Sequence, residues 1–403
     1  MDIWKLAQAK EDHVILLRLW FHENAELSDH EDDTVAHILQ ELKANGIACA
    51  DVPKGGVMGF IEGVKPGKTV LLRADIDALP MQEDTYNNKQ PKVCVSKRDG
   101  AAHTCGHDTH AAMLLGAAKI LYAHRNEIAG RIVLYFERGE EHGHGDYYMM
   151  KYLQDNHIHV DGCYAHHIKV FMPVGKIGLL EGSVYAGNTF WNAIIHNDNG
   201  KALACGVALI NALNSARMRN IDPYQNATLS NNKLVFDEEA GTCIVGGTCR
   251  YHDIEKGGKP MRDVIYNTIQ SVCAAFGCQV SAKKGGTSRG VVNHPVCYEI
   301  AKRSLLKTLG EEHIFTHPAT MGAESFAILG AYYPSYYGSV GAGNPEKGMD
   351  ANNHNPKFEP DEAGLKYGVA AAVAFALEFL AYDKPIEFTP FVGNIDEYLA
   401  AHR

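Results

Sequence analysis

The alternation of apolar runs with helical segments constrains the fold of this chain more than any other feature. The first 45 residues predict two helices, the second with a capping box at Ser28 and Glu31. The runs at 69–73 and 131–136 are short and apolar, which is typical of strands buried in a parallel sheet. From residue 185 the order becomes strand–helix–strand–strand–helix–strand, as in a ferredoxin-like split unit. The sequence therefore predicts an α/β domain at 1–184 and 293–403, with a mostly parallel sheet flanked by helices, and an inserted βαββαβ domain at 185–292.

The size and charge of the chain agree with this division and exclude some partners. With 403 residues it exceeds the roughly 250–300 residues at which a single core stops growing. Its 38 basic and 48 acidic residues give a net charge of −10, which argues against nucleic acid and membrane surfaces as partners. The ten cysteines contain no Cys-x-x-Cys pair, the first residues lack a secretory leader pattern, and no run of 18 apolar residues occurs. We expect a cytoplasmic protein with reduced thiols.

Residues 103–110 concentrate metal-binding side chains in one short segment that leads into a helix. The segment reads His-Thr-Cys-Gly-His-Asp-Thr-His. Cys105 and His107 stand two positions apart, so both can face one ion from a turn. Thiolate and imidazole suit zinc, cobalt, nickel, manganese or iron better than calcium or magnesium. The segment predicts a transition-metal site; the alternative is a set of surface histidines before the helix.

Further candidate ligands follow the predicted strands. Open α/β sheets bind ligands at the carboxyl ends of their strands, so side chains at these ends are expected to share one cleft. The candidates are Asp75 and Asp77 after the first run, Glu140 and Glu141 after the second, and His166 and His167 at the end of a third.

The adjacent Glu140 and Glu141 predict hydrolytic chemistry. Two neighbouring carboxylates repel each other unless a cation neutralises one while the other handles protons. A metal ion lowers the pKa of water towards ~7 and a nearby carboxylate removes its proton. We therefore assign Glu140 as general base and Glu141 as metal ligand; two solvated loop acids are the alternative.

Four polar residues near these segments have two interpretations each. Asp108 and His110 either orient ligating imidazoles or cap the helix predicted from Thr109. His142 and His144 either line the site or are flexible loop residues.

Seven segments, in this order, resemble the metal-dependent amidohydrolases of peptidase family M20. The likeness is greatest to the aminoacylase-type subfamily, which includes hippurate hydrolase and the auxin-conjugate amidohydrolases. The Cys-Gly-His-Asp segment together with the glutamate pair is highly specific, and the resemblance spans nearly the whole chain. The segments are Leu72–Pro80, His103–His110, Glu140–Glu141, Ala165–His167, Gly247–Arg250, Met321–Phe326 and His354–Phe358, preceded by a similar stretch at His22–Ser28.

The resemblance implies a catalytic domain at 1–184 and 293–403 and a lid domain at 185–292 that mediates formation of a homodimer or higher homo-oligomer. It implies two divalent transition-metal ions (Zn, Mn, Co or Ni) and a small N-acyl amino acid or peptide-like substrate. Glu140 corresponds to the general base and Asp77, or else Asp75, to its supporting acid. The implied metal ligands are Cys105, His107, Glu141, His167 and His354.

The lid departs from the family pattern. The family's Gly-x-Gly-Gly-His turn is replaced by the stretch 196–202, which has no histidine at the equivalent place, so Lys201, His196 or Asn232 would substitute. Arg250 is retained and its planar guanidinium suits a substrate carboxylate, although a structural ion pair is an alternative. Glu324 lies on a loop predicted to approach the same cleft. The predicted substrate contacts are Arg250, Glu324 and Asn232.

The predicted function is hydrolysis of the amide bond of N-acyl amino acids or similar small amides. Two alternatives stay open: a dipeptidase or carboxypeptidase of the same family, and a non-catalytic metal-binding relative. Glu140 argues against the second, because a pure binding site has no use for an unliganded carboxylate beside Glu141.

Overall fold

The computed structural model describes residues 1–197 and 199–402, which form two compact units. Residue 198, in the departing lid stretch, lies outside the described residues. The first unit comprises Met1–Gly182, Val292–Pro318 and Ile328–Val392, and the second comprises Ser183–Val291, Ala319–Ala327 and Gly393–Arg403.

The unit boundaries differ from the predicted domain boundaries in two segments, besides small shifts at residues 183–184 and 292. Residues 319–327 and the C-terminal segment group with the second unit, whereas the sequence prediction placed both in the first. The first of these segments has a physical reason to do so, because the amide of Thr320 donates to the carbonyl of Val184 and the amide of Ala186 donates to that of Gly322.

The two units contain fourteen strands and eleven α-helices within the described residues. The strands are β1 (Ala48–Val52), β2 (Gly56–Glu62), β3 (Lys65–Asp75), β4 (Ala129–Glu137), β5 (Gly162–Pro173), β6 (Ile177–Gly178), β7 (Gly182–Ser183), β8 (Gly187–His196), β9 (Ala227–Asp237), β10 (Thr242–Tyr251), β11 (Gln279–Ala282), β12 (Val292–Asn293), β13 (Ile314–Phe315) and β14 (Ser335–Gly343). The helices are α1 (Ile3–Gln8), α2 (Glu11–Glu23), α3 (Asp32–Ala44), α4 (His107–Ala123), α5 (Gly145–Asp155), α6 (Ala202–Asn220), α7 (Lys259–Phe276), α8 (Pro295–Thr308), α9 (Leu329–Tyr332), α10 (Leu365–Ala381) and α11 (Ile395–His402).

An eight-stranded sheet forms the core of the first unit, in the order β1-β2-β4-β3-β5-β14-β6-β13. Its centre, β4-β3-β5-β14, is parallel, with Val70 of β3 opposite Ile132 of β4 and Gly162 of β5. The apolar residues of these strands are buried, as expected for strands covered on both faces, and α4 and α10 pack on the sheet. The predicted α/β fold with a mostly parallel sheet flanked by helices is confirmed.

The second unit contains an antiparallel four-stranded sheet in the order β11-β8-β10-β9, with α6 and α7 in the connections. Alternate residues of β8 and β10, such as Ala193 opposite Val245, are buried with apolar residues of the two helices. This is the βαββαβ arrangement that the sequence predicts for the lid.

The N-terminal region contains three helices, whereas the sequence pattern suggests two. A capping box at Ser28 and Glu31 would start α3, but this interpretation is wrong. The side chain of Glu31 makes no capping hydrogen bond in the described structure. Instead, the carboxylate of Glu26 accepts from the amides of Asp33 (3.3 Å) and Thr34 (2.8 Å), so Ser28 and Glu31 are left for other contacts.

One helical segment in the described part, Glu362–Ala381, is long and apolar enough to cross a membrane. However, 67% of its most apolar window is buried inside the protein. There α10 packs against α4, α8 and the sheet, which is how the core helix of an α/β unit is covered.

Candidate metal centre

A glycine allows the turn that carries two of the predicted ligands. Gly106 precedes α4 with φ +94°, and a Cβ at this residue would lie 2.4 Å from Cγ2 of Ile168 in β5. Any larger residue would be strained and would push the turn away from the strand. Gly106 therefore places Cys105 and His107 directly against the strand that carries His167.

The five predicted ligands lie around the thiol of Cys105. Its Sγ atom is 3.3 Å from Nε2 of His167 and 3.3 Å from Nε2 of His354. Oε1 of Glu141 is 3.1 Å from Nε2 of His354 and 3.9 Å from Nε2 of His107. Two sets of donor atoms, Cys105–His107–His167 and Cys105–Glu141–His354, each lie within 4.8 Å of one another. The two sets share the thiol.

Hydrogen bonds on the far side of two imidazoles orient them towards this thiol. Nδ1 of His107 donates to Oδ1 of Asp77 (3.1 Å), and Nδ1 of His167 donates to the carbonyl of Ile168 (2.7 Å). When each ring is neutral, this leaves the lone pair of Nε2 facing the other ligands. Such outer partners are typical of histidines that bind metals.

The arrangement of the donor atoms suits metal ions better than it suits hydrogen bonds among these atoms. Nε2 of His107 is buried and makes no hydrogen bond within the described residues. Oε1 of Glu141 makes none either, although Nε2 of His354 lies 3.1 Å from it. A buried polar atom without a partner costs about 1–3 kcal/mol, a cost that a bound cation removes. Sulfur, nitrogen and carboxylate donors arranged in two overlapping sets fit two borderline-soft divalent ions.

The loop that supplies His354 adopts a strained backbone. His354 has φ +62°, a conformation that costs a non-glycine residue about 1–3 kcal/mol. Two bonds hold it: its amide donates to the carbonyl of Thr104 (2.9 Å), and Nδ2 of Asn353 donates to the carbonyl of Cys105 (2.8 Å). The C-terminal loop is thereby fastened to the Cys105 turn.

Asp77 connects two of the ligands. Besides His107 it binds the amide of Glu141 (3.0 Å) and the hydroxyl of Ser28 (2.7 Å), both through Oδ2. Burial would raise the pKa of Asp77, but the hydrogen bonds from His107, Ser28 and the Glu141 amide outweigh it and lower the pKa. Asp77 is therefore an ionised acid that contacts both His107 and the backbone of Glu141.

Asp75 and His110 form a buried pair beside His107, whose Nε2 lies 3.8 Å from Oδ2 of Asp75, and the three residues form a further set of close donor atoms. Nδ1 of His110 lies 2.5 Å from Oδ1 of Asp75, and Nε2 of His110 accepts the amide of Ile168 (2.9 Å). The other oxygen of Asp75 accepts from Nη1 of Arg73 (2.7 Å). His110 thus orients the strand next to His167, which favours the first of its two interpretations.

Asp108 does not cap α4, for which the described structure shows no side-chain cap. It is buried and its Oδ2 accepts from Nε of Arg18 (2.9 Å) and faces Nδ1 of His22 (2.8 Å). Burial and Arg18 lower the pKa of His22, but hydrogen bonds to Asp108 and Glu83 outweigh them and raise it. This buried group ties α2 to the residue after His107.

Removing the guanidinium from this group is expected to destabilise the protein. Arg18→Met leaves the buried Asp108 with His22 alone, and breaking a buried ion pair costs about 3–5 kcal/mol. We expect the free energy of urea unfolding of metal-free protein to fall by about 3 kcal/mol. Lys5→Ala, which removes an exposed pair with Asp2, is the control and should cost less than about 1 kcal/mol. A small loss for Arg18→Met would show that water reaches Asp108.

Glu140 lies beside two of the predicted ligands. A carboxylate oxygen of Glu140 lies within 4.8 Å of donor atoms of His107 and Glu141, and the side chain is half-buried. His142 and His144, further along this loop, are exposed, which favours the interpretation as loop residues.

The predicted substrate contacts belong to the second unit, whereas all five predicted metal ligands belong to the first. Arg250 lies on β10, and its Nη1 is buried without a hydrogen bond among the described residues. Asn232 is exposed at a bulge of β9, and Glu324 is buried and accepts the amide of Phe326 (3.1 Å). Lys201 is exposed just before α6. Their roles stay predictions.

Sequence reasoning missed the residues behind the centre, above all Arg18, His22, Ser28 and Glu31. The stretch His22–Ser28 resembles a family segment, and this was the available signal. Its spacing does not reveal that its first and last residues reach Asp108 and Asp77, because those contacts join residues far apart in the sequence.

Comparison with known proteins decides the family. Residues 71–378 match peptidase family M20/M25/M40. The chain belongs to this family. It is 32% identical over 397 residues to thermostable carboxypeptidase 2 of Saccharolobus solfataricus, covering 92% of this chain and 96% of that protein. It is 31% identical to the IAA-amino acid hydrolase ILR1-like 6 of Arabidopsis thaliana, covering 90% of this chain and 79% of that protein.

A solved structure of the M20 family agrees with the fold. A Bacillus subtilis protein described as a dinuclear metal-binding peptidase has 26% identity and a TM-score of 0.77, covering 93% of this chain and 99% of that one. The predictions of an M20 amidohydrolase, of an enzyme acting on amide bonds and of a centre for two metal ions are confirmed.

Proposed function

We propose that this M20-family enzyme hydrolyses the amide bond of N-acyl amino acids or similar small amides. One observation carries the proposal. Two donor sets share the thiol of Cys105, and Glu140 lies beside them, close to His107 and Glu141, without belonging to either. The relative named as an IAA-amino acid hydrolase acts, by its name, on an acylated amino acid, which supports the same substrate class.

The residues of the centre divide the chemistry among them. Cys105, His107, Glu141, His167 and His354 would hold two divalent ions, which supply Lewis-acid activation of the amide carbonyl and of water. Glu140 takes a proton from the attacking water and delivers it to the leaving nitrogen as the carbon–nitrogen bond breaks. Asp77 keeps the imidazole of His107 and the backbone of Glu141 in place. The products are a carboxylate and an amine.

The mixed donor set supports Zn, Mn, Co or Ni as the resident metals. Metal-free protein would be reloaded with each ion separately, and both stoichiometry and turnover would be measured. The proposal expects about two ions per chain for at least one of these metals. Turnover that does not depend on added metal would contradict it.

A substrate panel separates the proposed activity from its runner-up. A carboxypeptidase or dipeptidase is favoured by the likeness to a protein named as a carboxypeptidase. The panel contains N-acetyl, N-benzoyl and N-fatty-acyl amino acids, and dipeptides with free or blocked amino groups. The proposal expects hydrolysis of N-acyl amino acids without a free amino group. Activity on free dipeptides alone would establish the runner-up.

Arg250 is proposed to bind the substrate carboxylate. A hydrogen bond to a charged group contributes about 1.5–3 kcal/mol, so Arg250→Ala should raise KM or lower kcat/KM about 10–100-fold. Arg250→Lys should recover part of the loss, because lysine keeps the charge but not the planar fork. Arg219→Ala, on the exposed surface of α6, is the control. If Arg250→Ala lowers kcat/KM equally for a substrate with a carboxylate and for its uncharged amide analogue, Arg250 does not bind the carboxylate.

We propose that the enzyme is a homodimer assembled through the lid. β9 is an edge strand of eleven residues, and Leu234 and Phe236 on it are exposed. Leu234 lies beside α6, where Leu203 and Val207 are also exposed. A long apolar edge strand pairs readily with another copy of itself.

Charged substitutions on this surface are expected to dissociate the dimer. Leu234→Lys and Val207→Glu each place a charge in the shared apolar patch, so sedimentation should shift from twice the 44.2 kDa chain mass to the chain mass. Leu16→Lys, an exposed leucine of α2, is the matched control and should leave the dimer intact. A wild-type protein that sediments at the chain mass would refute the dimer.

A cytoplasmic location and the absence of nucleic-acid and membrane partners are also proposed. The ten cysteines are all unpaired, as in a reducing compartment, and the net charge is −10. Cell fractionation tests the location.

A further inference from the structure

The segment between α2 and α3 contacts the backbone before Glu140 directly and the backbone after Glu140 through Asp77. Oε1 of Glu31 accepts a hydrogen bond from the amide of Gly139, at 2.7 Å. Ser28 donates to Asp77 at 2.7 Å, and Asp77 accepts the amide of Glu141 at 3.0 Å. Glu31 therefore binds the amide before the proposed base directly, and Ser28 binds the carboxylate of Asp77 that accepts the amide after it.

The side chain of Glu31 is not used by its own helix. It stands at the N-cap position of α3 but makes no capping bond there, since Glu26 binds the free amides of that helix. Glu31 is fully buried, and its second oxygen, Oε2, makes no hydrogen bond among the described residues and lies 3.9 Å from Nη1 of Arg138. Burying a carboxyl group costs free energy, so the hydrogen bond to Gly139 points to a function for this side chain.

We propose that Glu31 is a positioning residue that holds the Gly139–Glu141 turn, and through it the carboxylates of Glu140 and Glu141, in the arrangement needed for hydrolysis. The inference rests on the proposed roles of these two glutamates. Gly139 has φ +64°, so it is a bend whose amide direction determines the course of the next two residues. Without its acceptor, the turn is free to move away from His107.

The charge state of Glu31 agrees with this role. Burial, and then the charge of Asp77, raises the pKa of Glu31 to about 8, while Arg138 opposes the shift. At neutral pH Glu31 is therefore mainly the uncharged acid, which accepts the Gly139 amide without placing a second buried negative charge beside Asp77. Glutamine has the same shape and an equivalent carbonyl acceptor.

Three variants test the proposal. Glu31→Ala removes the acceptor and Glu31→Gln retains it. Glu26→Ala removes a buried glutamate of the same segment whose carboxylate contacts α3 and Arg98. We expect Glu31→Ala to lower kcat about 10–100-fold, as loss of an outer partner of a metal ligand does, with KM changed less than about threefold. Glu31→Gln should stay within about threefold of wild type. Glu26→Ala should lower Tm but not kcat.

A measurement that does not depend on turnover tests the positioning role of Glu31 separately from the proposed function. Cobalt(II) is titrated into metal-free protein and its visible absorption is followed. Glu31→Ala should weaken binding of one of the two ions about 10–100-fold, and Glu31→Gln should not. If wild type hydrolyses nothing in the panel, the proposed function fails while this titration still tests Glu31.

The same set of variants can overturn the positioning role. Glu31→Ala with wild-type kcat and cobalt binding would do so. So would a Glu31→Gln variant as defective as Glu31→Ala, because the acceptor would then not be what matters. If Glu31→Ala does not fold, Ser28→Ala tests the second contact by the same titration, with unchanged binding counting against the role of this segment.

Discussion

Glu140→Gln is expected to lower kcat by about 10²–10⁴-fold while the protein still binds about two metal ions per chain. The amide retains the size of the side chain but cannot take a proton from water at any accessible pH. Glu140 belongs to neither donor set around Cys105, so the substitution should keep the ions that those two sets hold and remove a donor only from the set His107–Glu140–Glu141. KM should change little, since the loss falls on the chemical step.

The measurements are steady-state kinetics on the best substrate of the panel and metal analysis of the same preparation. His144→Ala, an exposed residue of the same loop, is the control and should keep wild-type kcat. Turnover of Glu140→Gln within about tenfold of wild type would remove Glu140 from the role of base. Loss of one ion from the variant would instead make Glu140 a ligand.

The position of the centre could be predicted from the sequence because functional side chains in open α/β sheets lie at the carboxyl ends of the strands. β3 ends at Asp75 and β4 at Glu137, and both strands are parallel with Asp75 opposite Glu137. Any polar residue just beyond these ends must lie at one edge of the sheet. Asp77 and Glu141 do so, and this local rule needs no knowledge of the remaining fold.

The sequence was insufficient where a local pattern competes with a distant partner. Ser28 and Glu31 have the spacing of a capping box, yet Asp77 and Gly139 bind them in the folded chain. A helix N-terminus can be satisfied by any nearby acceptor, and here Glu26 provides it. The capping interpretation therefore fails because tertiary contacts offered better partners for both side chains.

The same limit explains why the buried ion pair of α2 was not predicted. Arg18 is an ordinary basic residue on an amphipathic helix until α4 brings Asp108 to it, 90 positions later. Asp108 itself looked equally like a helix cap. Only the packing of α2 on α4 distinguishes the two interpretations.

Cys105→Ala is expected to have the second large effect. Cys105 is the residue shared by the two donor sets Cys105–His107–His167 and Cys105–Glu141–His354. Its Sγ atom lies 3.3 Å from both His167 and His354. Removing it takes a donor from both proposed metal positions at once. The loss of turnover should exceed the about 10–100-fold that removal of an outer partner costs.

Cobalt(II) reports this loss directly. Wild type loaded with cobalt should show a sulfur-to-cobalt charge-transfer band in the near ultraviolet, and Cys105→Ala should lack it. Cys49→Ala, a half-buried thiol elsewhere in the first unit, should keep the band and serves as the control. A Cys105→Ala variant that keeps the band and binds two ions would move the centre away from this turn.

The thiol also predicts the pH dependence of metal binding. Burial raises the pKa of the Cys105 thiol, so metal-free protein carries its proton at neutral pH. A metal ion must displace that proton, so affinity should rise with pH and binding should release a proton. Isothermal titration in two buffers of different ionisation enthalpy counts the protons released. Cys105→Ala should release about one fewer than wild type, and equal release would mean that the thiol is not a ligand.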